Sequence, residues 1–241
     1  MFQPTDYEKF NVSYNKTMAH NNIEVEIKIK LTKSKFEKTK LRLEKIAKRI
    51  KTSHHNDAYY NPIYEVPGYC QGFFSPLLHR ERNPSEAKIN LAKGDKSFLK
   101  QKYPYEWLTI RQRDGKVKLN FKHWYPEGVK NTTHCDEYET EVSDKTQIEK
   151  ILKALHFENF ITIDKKRITY IYKNELEIAL DEVKGLGYFI EVESIKNEGG
   201  VNIAHQKLID FLQKELGITK TTTVPGGYAA EMMRKLKLAA D

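Results

Sequence analysis

Residues 23–31 read Ile-Glu-Val-Glu-Ile-Lys-Ile-Lys-Leu. Apolar and charged side chains alternate over these nine positions, and successive side chains of a β-strand point to opposite faces of its sheet. The stretch therefore predicts a strand with one apolar face and one charged face. Glu24, Glu26 and Lys28 share the charged face.

Similar alternation continues along the chain and predicts seven further strands. Asp114-Gly115 separates two of them, and Asp-Gly between alternating segments is a strong hairpin signal. The strand that begins at 160 ends either at 164 or at Tyr172. The predicted strands are 55–61, 106–113, 116–123, 135–142, the segment from 160, 175–183 and 187–194.

Four segments have the apolar spacing of helices. The first opens with the capping-box pair Ser34 and Glu37, and the third ends at Gly217. The first is expected to bury one face, formed by Phe36, Leu43, Ile46 and Ile50. The second, 144–156, places Ile148, Ile151, Leu152 and Leu155 on one side. The third and fourth cover 202–216 and 228–239.

About eight short strands with a few helices predict an α+β fold, in which a closed antiparallel β-barrel carries its helices outside. Residues 23–241 are expected to form one domain. Residues 1–22 are polar and lack a period, so we interpret them as a flexible extension. Residues 62–104 hold most of the prolines and show no period, which indicates an insertion-like loop.

The composition limits the class of protein. The 241 residues carry a formal net charge of +8 and are 39% hydrophobic, too apolar for a disordered chain. No apolar run approaches the length of a membrane-spanning helix. The two cysteines are too few for a disulfide framework. We therefore expect a cytoplasmic protein without a membrane partner, and the positive charge favours a polyanionic ligand.

The charged faces of the strands suggest what that ligand is. If the helices cover the apolar faces, the charged faces must point into the barrel. Unpaired charge cannot be buried in a dry core, so the interior would be a hydrated cavity. Clustered carboxylates suit a hard cation, Mg²⁺ or Mn²⁺, and clustered Lys and Arg suit phosphates. The pattern predicts a triphosphate site.

The same residues resemble a known family. Glu24-Val-Glu26-Ile-Lys28 fits the ExExK signature of the CYTH superfamily, the triphosphate tunnel metalloenzymes. The run 180–193 (LDEVKGLGYFIEVE) is the more specific second anchor. The resemblance covers residues 23–235 and includes the element 57–60, the LxIR strand at 108–111 and the Gly-Tyr-containing helix at 227–235. The sequence is most similar to the class IV adenylyl cyclase group.

The resemblance implies roles for individual residues. Glu24, Glu26, Glu191 and Glu193 would bind the metal, with Asp181 supporting them. Lys28, Arg111, Lys122, Lys165 and Arg167 would hold the triphosphate. Arg113 and Lys118 share faces with Arg111 and Lys122, and we add them to the substrate-binding set. Glu24, Glu26, Lys28, Arg111 and Lys122 form the predicted catalytic set.

The predicted activity is cyclisation of ATP to cyclic AMP and pyrophosphate, with Mg²⁺ or Mn²⁺. Hydrolysis of thiamine triphosphate, tripolyphosphate or a nucleoside triphosphate is the alternative, because the same charged walls serve both reactions. A third hypothesis is a binding module for polyphosphates or RNA. Trp124 and Tyr125 could stack on adenine, although such aromatic pairs more often anchor a loop or the core. No nucleic-acid partner is expected, and a homodimer is left open.

Overall fold

The computed structural model describes residues 23–62, 105–127, 129–130, 132–196, 199–220, 223–224 and 226–236. The predicted extension 1–22 and loop residues 63–104 lie outside these ranges. The strands are β1 (Ile23–Glu24), β2 (Glu26–Leu31), β3 (Lys48–Pro62), β4 (Glu106–Arg113), β5 (Lys116–Tyr125), β6 (His134–Val142), β7 (Phe157–Tyr172), β8 (Leu176–Val183) and β9 (Gly187–Ser194). The helices are α1 (Lys33–Ile46), α2 (Lys145–Ala154), α3 (Val201–Asp210) and α4 (Gly227–Lys235). A π-helical turn over Phe211–Glu215 continues α3.

All nine strands belong to one antiparallel sheet, in the order β1-β6-β5-β4-β3-β7-β8-β9-β2. The two ends of this order, β1 and β2, are consecutive in the chain and are separated only by Val25. The first pairs with β6 and the second with β9, and the Val25 carbonyl accepts a hydrogen bond from Ser194 N at 3.0 Å. The predicted strand 23–31 is therefore confirmed, and it is shared between both ends of the sheet.

One antiparallel sheet with separate helices is an α+β architecture, as predicted. Among the described residues, however, no ladder of hydrogen bonds joins β1 to β2. The predicted closed barrel is therefore not confirmed by strand pairing.

Three helices cover the apolar face of the sheet, as predicted. The strand residues Val25 and Ile27 pack with Leu43 of α1 and Leu208 of α3. In the middle of the strand order, Leu152 of α2 packs on β3 and β4 against four buried residues, Ala58, Tyr60, Leu108 and Ile110. Burying apolar surface in these contacts stabilises the fold by about 25 cal/mol per Å². The charged face of each strand is left on the opposite side of the sheet.

The fourth helix lies elsewhere, which corrects the prediction that all helices pack outside. Ala229, Ala230 and Met233 of α4 pack with Trp107 and Trp124, which are on the same face of their strands as the charged residues. Near one end of the strands this face is apolar, so it offers α4 a surface to bury.

The hairpin prediction at Asp114-Gly115 is confirmed. Both residues have positive φ, 50° and 78°, as a two-residue turn between twisted strands requires. In the register that follows, Arg111 lies opposite Lys118.

Two predictions around α1 are wrong. The N-cap is Thr32, whose hydroxyl accepts a hydrogen bond from Lys35 N at 3.2 Å, and not Ser34. Ile50 belongs to β3 and is 48% exposed. β3 is longer than the predicted 55–61 because it pairs with β7 from Lys48 opposite Ile171 to Pro62 opposite Phe157. Residues 48–52 are all exposed, so no apolar alternation marks this part of the strand.

The predicted apolar face of α2 is also partly wrong. Leu152 is buried and Ile148 packs beside it. Ile151 and Leu155 are exposed, because the sheet beneath the helix covers only a narrow stripe of it.

No helix in the described part of the chain is long and apolar enough to cross a membrane.

Candidate active site

The charged faces of the strands surround a cavity of about 190 Å³. Every strand from β1 to β9 contributes to its wall, because the side chains that alternate inward from each strand converge there. Ten of the twelve predicted site residues line it: Glu24, Glu26, Lys28, Arg111, Arg113, Lys122, Lys165, Arg167, Glu191 and Glu193.

The other two predicted residues, Lys118 and Asp181, are not part of the wall. Lys118 lies near the hairpin end of β5, where its ammonium contacts Glu139 at 2.5 Å and its side chain is 37% exposed. Asp181 is 0% exposed and lies behind the wall. It accepts two hydrogen bonds from Arg167, at 2.8 and 2.6 Å. Its carboxylate thus orients Arg167 rather than the cavity contents.

Lys122 is the centre of an acidic cluster. Its ammonium lies 2.5 Å from Glu24, 3.4 Å from Glu26 and 3.7 Å from Glu137. One ammonium cannot neutralise three carboxylates. Burial, together with the neighbouring Glu26, accordingly raises the pKa of Glu24 well above its ordinary value. Although burial opposes it, Glu24 raises the pKa of Lys122, which stays protonated.

A second cluster forms around Glu191. Lys28 contacts Glu26 and Glu191, each at 2.9 Å, and Arg167 contacts Glu191 at 3.0 Å. Although burial opposes it, Arg167 and Lys28 lower the pKa of Glu191, which stays ionised. The cluster contains residues of β2, β7 and β9. Its ion pairs therefore connect β7 to β9 and β2, from which β8 separates it in the sheet.

Asp57 was missed as a site residue, although its element was recognised as part of the resemblance. Its carboxylate lies 3.2 Å from Arg113 and 3.6 Å from Lys165. Although burial opposes it, Lys165 and Arg113 lower the pKa of Asp57. Burial and the nearby Arg167 lower the pKa of Lys165 to about 8. The inward parity of β3 was the signal that could have identified Asp57.

Other wall residues were not predicted either. Glu137 and Glu139 of β6 contact Arg111 at 2.6 and 3.1 Å, and Tyr228 enters from α4. The alternation of β6 contains the signal for the two glutamates. No local pattern indicates Tyr228, because it reaches the cavity from a helix. Further wall residues are Tyr59, Trp107, Thr109, Asn120, Trp124, Glu177, Gly226 and Gly227.

The wall has an excess of carboxylates. Eight acidic side chains and six basic ones line the cavity, and burial, with Glu26 and Glu191 nearby, raises the pKa of Glu193 to about 8. No three Asp, Glu, His or Cys side chains in the described ranges form a ready-made metal centre. Crowded carboxylate oxygens nevertheless fit a hard divalent cation, which needs only one or two protein carboxylates when a phosphate supplies the other ligands.

Comparison with known proteins identifies the family. Residues 95–228 match the CYTH domain. The chain belongs to the CYTH family. The match spans β4 to the start of α4, so it supports the family independently of the ExExK segment at 24–28. A Methanocaldococcus jannaschii protein named "Putative adenylate cyclase" is 32% identical to the CYTH chain over 126 residues, which are 51% of this chain and 69% of that protein.

Solved structures share the fold. A conserved hypothetical protein from Pyrococcus furiosus is 24% identical with a TM-score of 0.59, and the match covers 86% of this chain and 98% of that one. A Hippeastrum protein is 16% identical with a TM-score of 0.54, and the match covers 88% of this chain and 95% of that one. At these identities the likeness shows that the CYTH architecture is shared.

Proposed function

We propose that this CYTH chain is a metal-dependent adenylyl cyclase that converts ATP to cyclic AMP and pyrophosphate. The observation that carries the proposal is the single cavity wall, in which carboxylate and cationic side chains from all nine strands lie together, ten of them predicted from the sequence. A site built only to capture phosphate would gain nothing from eight carboxylates. A site for a triphosphate and a divalent cation needs both signs. The M. jannaschii relative, named as an adenylate cyclase, supports cyclisation.

The proposal includes the shape of the site. β1 and β2 stand at opposite ends of the strand order and are separated by one residue. We infer that the sheet curls until these ends meet, so that the cavity is a tunnel through a barrel. Residues 23–241 then form one catalytic domain around it.

The residues divide into two sets. Glu24, Glu26, Glu191 and Glu193 would hold Mg²⁺ or Mn²⁺, and Asp181 supports them by fixing Arg167. When bound, such a cation would lower the pKa of the ribose hydroxyl and neutralise phosphate charge. Lys28, Arg111, Arg113, Lys122, Lys165 and Arg167 bind the triphosphate, and Lys118 contributes from outside the wall. Lys28 and Lys122 exchange their carboxylate partners for phosphate oxygens on binding.

Cyclisation requires that the 3′-oxygen be held in line with the α-phosphorus while pyrophosphate leaves. The protein contributes mainly position and charge. Arg111 and Arg167 offer forked donors that fix phosphate orientation, and the lysines act as point charges. Trp124 lies in the wall beside Lys122, whose ammonium is 5.3 Å from the ring centroid. Tyr125 is on the other face of β5 and donates to Asp136, so only Trp124 is placed for contact with a nucleoside.

Triphosphate hydrolysis is the second candidate. The Hippeastrum protein is described as a putative adenylyl cyclase with a dominant triphosphatase activity, and it has the same fold. The charged wall serves either reaction, since a water aimed at the terminal phosphorus needs the same neutralisation.

Product analysis separates the two. The purified chain is incubated with ATP, tripolyphosphate or thiamine triphosphate, with Mg²⁺ and then with Mn²⁺. We expect cyclic AMP and equimolar pyrophosphate from ATP. Orthophosphate without a cyclic product would assign the chain to the triphosphatases. No turnover of any of the three would contradict both.

A matched pair of variants tests the metal assignment. Glu24→Gln keeps the shape of a wall residue and is expected to lower metal-dependent turnover by more than about 100-fold. Glu141→Gln changes an exposed glutamate of β6 that contacts Lys116 outside the cavity, and its turnover is expected to match the parent chain. Equal activity in the two variants would remove Glu24 from the site.

A further inference from the structure

One wall residue comes from outside the sheet. Tyr228 lies on the second residue of α4, directly after Gly226 and Gly227, whose φ angles of 67° and 66° favour glycine. Its side chain is 3% exposed and packs edge-on against Phe189 of β9 with ring centroids 4.9 Å apart. The helix thus begins at the cavity and inserts an aromatic ring into its wall.

The ring contacts two cations of the proposed triphosphate site. Lys28 Nζ and Lys165 Nζ each lie 4.7 Å from its centroid, within the range of a cation–π interaction. Lys28 belongs to β2 and Lys165 to β7, and two other strands separate these in the sheet. The tyrosine therefore links two cations that the strand pairing does not bring together.

The hydroxyl makes a different contact. It donates a hydrogen bond to Asp181 Oδ2 at 2.6 Å, and Asp181 in turn accepts both hydrogen bonds from Arg167. Through its two ends Tyr228 thus touches two cations directly and a third through a carboxylate. Three of the six cations in the wall thus contact this one side chain of α4, two directly and one through Asp181.

The two lysines differ in what else holds them. Lys28 has close carboxylates on Glu26 and Glu191, at 2.9 Å. Lys165 has only longer contacts, 3.6 Å to Asp57 and 3.8 Å to Asp181. The ring of Tyr228 therefore contributes more to holding the ammonium of Lys165 than to holding that of Lys28.

An aromatic ring suits a site that must accept a polyanion. A further carboxylate in place of the ring would add to the negative charge already near Lys28 and Lys165 and would repel the incoming phosphates. The face of a tyrosine ring attracts an ammonium without adding a full negative charge. It can keep its contact while phosphate oxygens approach the other side of the ammonium.

We propose that Tyr228 is a positioning residue, whose ring holds Lys28 and Lys165 in place for the triphosphate and makes α4 part of the binding site. The inference rests on the proposed function for its consequence, but the placement of the lysines can be tested without any ligand.

Lysine reactivity tests the placement. The full chain is labelled with a small amine-reactive reagent, and modification of Lys28, Lys165 and the more exposed Lys118 is followed by peptide mass spectrometry. In Tyr228→Leu we expect Lys28 and Lys165 to react about five-fold faster or more, with Lys165 changing more and Lys118 unchanged. Tyr228→Phe retains the ring and is expected to keep both lysines protected. Tyr228→Met fills the space without a ring and provides a second test if the leucine variant does not fold.

Tyr172→Leu is the matched control. Tyr172 also lies under a lysine, with Lys173 Nζ 4.9 Å from its ring, but it packs on Phe211 away from the cavity. Its loss should leave the labelling of Lys28 and Lys165 at the parent rate. Equal labelling in parent and Tyr228→Leu, or equal behaviour of the phenylalanine and leucine variants, would overturn the role of the ring.

Steady-state kinetics then connect placement to binding. The leucine variant is expected to raise KM for the triphosphate about ten-fold with a smaller change in kcat, and the phenylalanine variant to recover most of the loss. A structural role alone would lower Tm and leave KM at low temperature unchanged. If the parent chain turns over no triphosphate, the proposed function fails, while the labelling pattern still decides whether Tyr228 positions the lysines.

Discussion

At the scale of single residues, the cavity wall brings together eight acidic and six basic side chains. Burying such groups is costly unless each is paired and hydrogen-bonded. Several carboxylates form ion pairs with two cations each. Glu191 contacts both Lys28 and Arg167, and Glu137 contacts both Arg111 and Lys122. Because Glu191 and Glu137 each contact two cations, a phosphate can replace one of these contacts without leaving the carboxylate unpaired.

Arg111 and Lys118 provide a test at this scale, because they are register partners on β4 and β5 and only Arg111 lines the cavity. Arg111→Lys keeps the charge but removes the forked donors, and it is expected to weaken binding of tripolyphosphate with Mg²⁺ about ten-fold. Lys118→Met is expected to weaken it less than about three-fold, since exposed charges contribute little. Titration calorimetry measures both, and a larger effect at Lys118 would contradict the placement.

At the scale of elements, short local signals decide where each strand and helix begins and ends. The Asp114-Gly115 turn sets the register of β4 and β5, and that register aligns their inward residues. The hydroxyl of Thr32 caps α1, and the helix then covers the strand 23–31 through Phe36 and Leu43. A change at a cap therefore alters the stability of the outer layer without touching the cavity.

The cap gives a second pair of variants. Thr32→Ala removes the acceptor for Lys35 N and is expected to lower the free energy of unfolding by about 1 kcal/mol. Ser34→Ala changes an exposed residue inside the helix and is expected to change it by less than about 0.5 kcal/mol. Urea denaturation at neutral pH measures both. A loss at Ser34 as large as that at Thr32 would show that the capping box predicted from the sequence is the one that acts.

At the scale of the whole molecule, the cavity is the place where all nine strands meet. A ligand bound there would contact both ends of the strand order, through Glu24 and Lys28, as well as the middle, through Asp57 and Lys165. Binding would thus tie distant parts of the sheet together and oppose global unfolding, because only the folded chain assembles the site.

Thermal unfolding with and without metal tests this. At a tripolyphosphate concentration about 100 times Kd, with Mg²⁺ present, binding adds about 2.7 kcal/mol, or about 5–10 °C in Tm for a chain of this size. Removing the metal with EDTA is expected to abolish most of the shift. An equal shift in EDTA would show that the cations bind phosphate without the carboxylates taking part in a metal site.

The alternation in residues 23–31 and in later segments determined which side chains share a face, because strand geometry has a period of two whatever the strand pairs with. Ten of the twelve predicted site residues therefore lie in the wall. The same local reasoning identified the Asp114-Gly115 hairpin and most of the helices.

Only the tertiary structure decided which partners these faces meet. The length of β3 depends on its pairing with β7, and Asp181 is set behind the wall by Arg167 and Tyr228. Tyr228 itself reaches the cavity because α4 packs on the inward face. These features join residues far apart in the chain, and no pattern along the sequence encodes them: a periodic sequence specifies the direction of a side chain, whereas its neighbours depend on how the whole sheet is assembled.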